Sequence, residues 1–259
     1  MPVFAANLTM LFTEAPFLDR FALARGAGFE FIEYLLPYDH KPEELRRRLD
    51  QNGLRQVLFN LPCGDWGKGD RGIAADPNRV EEFRAGVAKG VEYALALGVG
   101  TLNCLAGKQV AGVDPAQHRE TLVANLKFAA RQLADKGLRL VMEPINHYDM
   151  PGFLVNRSDQ ALALMDAANE PNLFLQFDLY HAQREEGELT ATLRQHLGRI
   201  GHIQVADNPG RHQPGTGELN YPFLFQELDR LGYSGYVGLE YVPSPDTGSS
   251  FGWIKAMGY

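Results

Sequence analysis

The sequence predicts a (β/α)8 TIM barrel, an α/β fold forming a single domain over residues 1–259. Three observations carry this. Eight short apolar runs have strand character, amphipathic helical runs separate them, and no glycine-rich nucleotide turn follows the first strand. A doubly wound open sheet is the alternative. It would be expected to show a GxGxxG or P-loop turn where this chain has "LFTEAPF".

The strand candidates, in order, are "VFAANLTML" from Val3, "FEFIEYLL" from Phe29, "RQVLFNLP" from Arg55 and "TLNCLAG" from Thr101. "LRLVMEPIN" from Leu138, "NLFLQFDLYH" from Asn172, "IGHIQVAD" from Ile200 and "GYVGLEYV" from Gly235 complete the set. Between them, "FLDRFALARGAG" closes on glycine, as a helix C-terminus should. "KPEELRRRLDQNG" carries Pro42 at its start and Gly53 past its end. "RVEEFRAGVAKGVEYALALG" spaces Phe83, Val87, Val91 and Ala94 along one face, and "QHRETLVANLKFAARQLADKG" does so with Leu122, Leu126, Ala129 and Leu133. "SDQALALMDAAN" opens on Ser158, a natural N-cap. "LTATLRQHLGR" and "PFLFQELDRLG" are the last two helices.

Barrel chemistry sits at the C-terminal ends of the strands. There the last four strands each carry an oxygen donor in an apolar setting: Glu143 in "LVMEPI", Asp178 in "LFLQFDLY", Gln204 in "HIQVAD" and Glu240 in "VGLEYV". One buried acid could be satisfied by an arginine or by backbone N–H groups. Four donors on successive strands, about 4.8 Å apart, can converge on one point. Carboxylates gathered there would repel, and a divalent cation resolves the conflict. The all-oxygen set favours Mg²⁺ or Mn²⁺ over Zn²⁺. His181, three residues after Asp178, is a candidate for substrate contact rather than ligation. His202 points to the same side as Gln204 but deeper, and His147 reads as a rim residue.

Two loops are chemically suggestive. "NLPCGDWGKGDRG" is long and glycine-rich, with Trp66, Lys68 and Arg71, and suits a lid. "DNPGRHQPGTGE" sets Arg211 and His212 beyond Gln204. Solvated turns are the alternative for both. The functional expectation is that Arg71 and Arg211, with Lys108 after "NCLAG", bind an anionic substrate. An arginine fork suits a carboxylate.

Net charge is -7 and only seven histidines occur, which disfavours nucleic acid and a histidine-rich nuclease centre. No segment is apolar enough for a membrane span. Cys63 and Cys104 cannot form a disulfide framework, so a cytoplasmic location is expected; Cys104 reads as core and Cys63, beside Gly64, as exposed.

The chain resembles the hydroxypyruvate isomerases of the xylose-isomerase-like barrel superfamily. The stretches that carry the resemblance run almost end to end: "FAANLTMLFTE", "NLPCGDWGKGDRGIA", "NCLAGK", "EPINHYDMPGF", "QFDLYHAQREEGELT", "GHIQVADNPGRHQPGTGELNY" and "GLEY". The resemblance implies interconversion of hydroxypyruvate and tartronate semialdehyde, with a small anionic hydroxy-keto acid as partner and no organic cofactor. It implies Glu143 and Glu240 as the proton-transfer pair, and Glu143, Asp178, Gln204 and Glu240 as metal ligands. The expected course is proton transfer between adjacent carbons through a metal-stabilised enediolate. Val242 departs from the pattern, since a basic or polar residue usually follows "GLEY". A sister group acts on 2-oxo-tetronates, one carbon longer. A ketose 3-epimerase and a non-catalytic binding barrel are the other readings, and homo-oligomer formation is left open.

Overall fold

The computed structural model describes residues 1–259. Eight parallel strands close into one barrel in chain order: β1 Val3–Asn7, β2 Phe31–Glu33, β3 Arg55–Asn60, β4 Thr101–Cys104, β5 Arg139–Met142, β6 Leu173–Asp178, β7 Ile200–Val205 and β8 Tyr236–Leu239. The seam is the pairing of β1 with β8, from Val3 opposite Tyr236 to Ala6 opposite Leu239. The outer layer is α1 Arg20–Gly26, α2 Pro42–Asn52, α3 Val80–Leu97, α4 Pro115–Ala134, α5 Ser158–Ala168, α6 Leu179–Glu185, α7 Leu189–His196, α8 Tyr221–Leu231 and α9 Gly252–Ala256.

The sequence pattern accounts for most of this layer. Phe83, Val87 and Ala94 of α3 are buried, as are Leu122, Leu126, Ala129 and Leu133 of α4. These faces meet the outward-pointing strand residues in one large apolar core, the principal stabilising term of the fold. Inside the barrel lies a separate small cluster: Ala5, Val57, Leu58 and Val141, with Phe31, Phe174 and Tyr236 packed against them. Phe31 and Tyr236 touch at 4.8 Å between ring centroids. The barrel interior beneath the polar strand ends is therefore packed with apolar side chains.

Three expectations are corrected. The run "NLFLQFDLYH" is not strand to its end. Strand β6 stops at Asp178, whose Oδ1 accepts the backbone N–H groups of Tyr180 (2.8 Å) and His181 (3.4 Å) and so starts α6 at once. Ser158 does not cap α5 but is its first residue, and its hydroxyl donates to Glu186. The Glu186 carboxylate caps that helix from outside, accepting the Ser158 N–H. Cys63 is buried, because its loop folds back and Gly72 N–H donates to the Cys63 carbonyl.

The loops of the C-terminal face are stitched to one another. Gly72 and Gly107, both with φ near +100°, bring the loops after β3 and β4 so close that a Cβ on either would collide with the other loop's backbone. Lys108 pairs with Phe153 across the next two loops. Val242 N–H donates to the Arg211 carbonyl at 2.7 Å, joining the loops after β7 and β8.

Candidate active site at the barrel mouth

Strand register sets polar side chains beside one another at one level. Asn7 is opposite Glu33, Asn60 opposite Asn103, and Asp178 opposite Gln204. Glu143 and Glu240 lie one residue past the ends of β5 and β8, and both are buried. The four predicted oxygen donors therefore share the mouth of one pore.

The carboxyls are held by amides. Asn103 Nδ2 donates to Glu143 Oε2 at 3.1 Å, and Asn7 Nδ2 donates to Glu240 Oε2 at 3.2 Å. Gln204 turns its amide nitrogen to the acids, donating to Glu33 Oε1 at 2.8 Å and to Glu240 Oε2. Its Oε1 accepts from Gln176 Nε2 at 2.6 Å. Asp178 spends Oδ1 on the α6 cap, while its buried Oδ2 has no hydrogen-bond partner.

Burial drives all three central acids toward the neutral form. Glu143 is raised well above the ordinary carboxyl range, by desolvation first and then by the charges of Glu240 and Asp178. Glu240 is pushed up to about 8, by desolvation first, with Arg211 pulling the other way. Asp178 is raised for the same leading reason. Desolvation, reinforced by the charge of Arg211, holds His181 well below the usual imidazole range, so it is neutral.

Arg211 reaches in from the loop after β7. Its Nη2 donates to Glu240 Oε1 at 2.6 Å and lies 4.0 Å from Asp178 Oδ2. Its guanidinium lies over the Tyr180 ring at 5.2 Å, and its buried Nε has no partner. The backbone there is left-handed, φ +57°, which a non-glycine residue adopts only under local constraint. The constraint is visible. Asp207, fully buried, accepts backbone N–H groups of Asn208, Gly215, Thr216 and Leu219 and winds the loop around its carboxylate.

The remaining predicted contacts sit farther out. Arg71 stacks on Trp66 at 3.8 Å and donates to the carbonyls of Trp66 and Asp70, so it is engaged within its own loop. Lys108 is half-buried on the ribbon it forms with Phe153 and makes no ion pair. His147 is exposed and bonds Glu185 at 2.7 Å.

Sequence reasoning missed Glu33. This fully buried carboxylate accepts from Asn7 Nδ2 (3.0 Å), Gln204 Nε2 (2.8 Å) and His202 Nε2 (2.7 Å). It lies against Gly238 of β8, where any Cβ would collide with it. The signal was present, since "FEFIEYLL" also sets an acid in an apolar strand. Asn7, Asn60 and Asn103 were missed as well, being uncharged.

One oxygen each of Glu143 and Asp178 and one ring nitrogen of His181 lie within 4.8 Å of one another, close enough to share a cation. The partnerless Asp178 Oδ2 and the repelling acids suit a hard divalent ion.

A family model described as "Xylose isomerase-like TIM barrel" matches residues 21–257. Hydroxypyruvate isomerase of Escherichia coli K12 is 49% identical over 97% of this chain and 97% of its own length. A 2-oxo-tetronate isomerase of Cupriavidus necator is 47% identical over 98% of both. A crystal structure described as AP endonuclease, family 2, from Brucella melitensis superposes with a TM-score of 0.96 at 44% identity, covering 99% of each chain.

Proposed function

The chain belongs to the xylose isomerase-like TIM barrel family, and on that premise we propose that it is an isomerase of small hydroxy-keto acids, interconverting hydroxypyruvate and tartronate semialdehyde. The observation that carries this is the buried pair Glu143 and Glu240 in one pore, the charge of Glu240 helping to raise Glu143 and an arginine bonded to Glu240. A binding site for an anion has no need of opposed carboxyls, whereas a proton shuttle between adjacent carbons needs two.

Glu143, Asp178 and Glu240 would hold a divalent ion, Mg²⁺ or Mn²⁺, with Gln204 joining once its amide turns its oxygen inward. When bound, that ion polarises the substrate carbonyl. The chain's own groups do the rest. One glutamate removes the C3 proton of hydroxypyruvate, leaving an enediolate, and the other returns a proton at C2. The hydroxyl proton shifts from the C3 oxygen to the C2 oxygen, so the product is the aldehyde. Arg211 offers its free Nε–H to the substrate carboxylate. His181 donates to a substrate oxygen. Asn7 and Asn103 keep the acids oriented. Lys108 and Arg71, out on the rim, draw the anion toward the mouth.

The test is proton NMR of hydroxypyruvate with the protein in deuterated buffer, with and without chelator. The expected outcome is an aldehyde product with deuterium at C2, slowed at least 100-fold by chelation. Substrate that stays unexchanged refutes the isomerase assignment. Undiminished turnover in protein shown metal-free by elemental analysis refutes the ion.

A four-carbon 2-oxo-tetronate is the second reading. It is favoured by the 47% identical relative and by Val242, which is 45% exposed where a basic or polar residue is usual. Running both acids in competition ranks them. Nucleic acid is disfavoured despite the Brucella protein's description, because this mouth is lined by acids and the chain carries a charge of -7.

A further inference from the structure

Asn146 lies three residues past Glu143, fully buried, and takes no part in the mechanism above. Its amide orientation is fixed by what it faces. The Asp149 backbone N–H lies 2.9 Å from one amide atom, which must therefore be the oxygen. The Asp149 carboxylate lies 3.2 Å from the other, which must be the nitrogen. Asp149 is itself pinned, accepting the Tyr180 hydroxyl at 2.8 Å and Arg184 Nη1 at 2.7 Å. The second hydrogen of Asn146 Nδ2 then points at His181 Nδ1, 2.6 Å away. Nδ1 must present a lone pair, so the ring proton is on Nε2. That nitrogen faces the centre, 3.9 Å from Glu143 Oε1 and 3.8 Å from Asp178 Oδ2, too far to be spent on either.

We infer that Asn146, held by Asp149, is a positioning residue that fixes His181 as the Nε2–H tautomer, making it a hydrogen-bond donor to the substrate and barring it from the metal. A histidine that ligates a metal through one nitrogen almost always gives its other N–H to an acceptor. Here the other nitrogen meets a donor. Although Glu143, Asp178 and His181 lie close enough to share an ion, the imidazole has no lone pair to give, and the cation is left to the carboxyls. Only the step that hands the Nε2–H to a substrate oxygen rests on the isomerase assignment; the tautomer stands on the hydrogen bonds alone.

The experiment is nitrogen NMR of protein labelled at its seven histidines, with the His181 signals assigned by their loss in His181→Gln. The wild-type ring is expected to show a protonated Nε2 and a bare Nδ1, unchanged on adding Mg²⁺ or Zn²⁺. A protonated Nδ1, or an Nε2 that loses its proton to bound Zn²⁺, overturns the inference without recourse to any variant. Asn146→Asp replaces the donor with an acceptor. It should move the proton to Nδ1, tighten Zn²⁺ at least 10-fold relative to Mg²⁺, and lower kcat 10- to 100-fold. An Asn146→Asp protein that is folded but keeps the wild-type tautomer also overturns it. If the Nε2–H form is found and the protein isomerises nothing, the isomerase assignment falls and the tautomer assignment holds.

Discussion

The two halves of the barrel mouth are built from different chemistry. Strands β5 to β8 contribute Glu143, Asp178, Gln204 and Glu240, three acids and an amide. Strands β1, β3 and β4 contribute Asn7, Asn60 and Asn103, amides only. The one acid of that half, Glu33, is saturated by Asn7, Gln204 and His202. The acids are desolvated and repel, while the facing amides supply N–H donors that cannot add to the repulsion. The raised acids thus belong to the second half, and amides of the first donate to two of them, Glu240 and Glu143.

The contrast breaks most visibly at the acids. Glu143→Gln and Glu240→Gln should each lower turnover by roughly 10²–10⁴-fold, the usual worth of a general acid or base, with circular dichroism unchanged. Near-wild-type turnover in either would remove that residue from proton transfer. Asn103→Leu takes the amide from Glu143 and should cost less, about 10-fold in kcat, because it misorients the acid rather than deleting it. A loss as large as that of Glu143→Gln would put the amide half into the chemistry and dissolve the distinction. Glu33→Gln should act on stability rather than on turnover. It exchanges an acceptor for an amide beside three donors, and urea unfolding should register a loss of about 1–3 kcal/mol.

The subtlest probe is pH. Glu240 moves from an ordinary 4.5 to about 8 on folding, and Glu143 and Asp178 move the same way. A carboxyl whose folded value is raised contributes stability that is complete below its unfolded value. That contribution is lost as pH rises toward the folded one. The thermal midpoint of metal-free protein should therefore fall from about pH 4.5 to about pH 8. Saturating Mg²⁺, which favours the ionised acids, should flatten or reverse the slope. A midpoint that climbs through this window without metal would mean the acids are already compensated.

What was legible in the sequence follows the same division. A charge inside an apolar strand is conspicuous because desolvating it is costly, so Glu143, Asp178 and Glu240 stood out. Asparagine at a strand end is ordinary turn chemistry, so Asn7, Asn60 and Asn103 did not. Glu33 was overlooked within "FEFIEYLL", where Glu30 nearby makes a second acid look like a solvated pattern. The helix after Asp178 was masked because "DLYH" continues the apolar strand, and only the cap geometry reveals the break. The type of Arg211 was suggestive. Its bond to Glu240, 29 residues on, depends on a left-handed backbone and on loop winding around Asp207, neither of which has a sequence period.

The seam between β1 and β8 gives the ring of amides and acids a history. Asn7 and Glu240 are 233 residues apart, yet they share a hydrogen bond across that closure. During synthesis the amide-rich half emerges first, with Glu33 as its one acid, and Glu143, Asp178 and Glu240 follow in that order. A partly made chain holds an unmatched set of donors and no opposed acid pair. If the two glutamates carry the proton as proposed, catalytic competence would be all-or-none, appearing only when the first strand and the last have found each other. Activity would then report a finished topology rather than the amount of polypeptide.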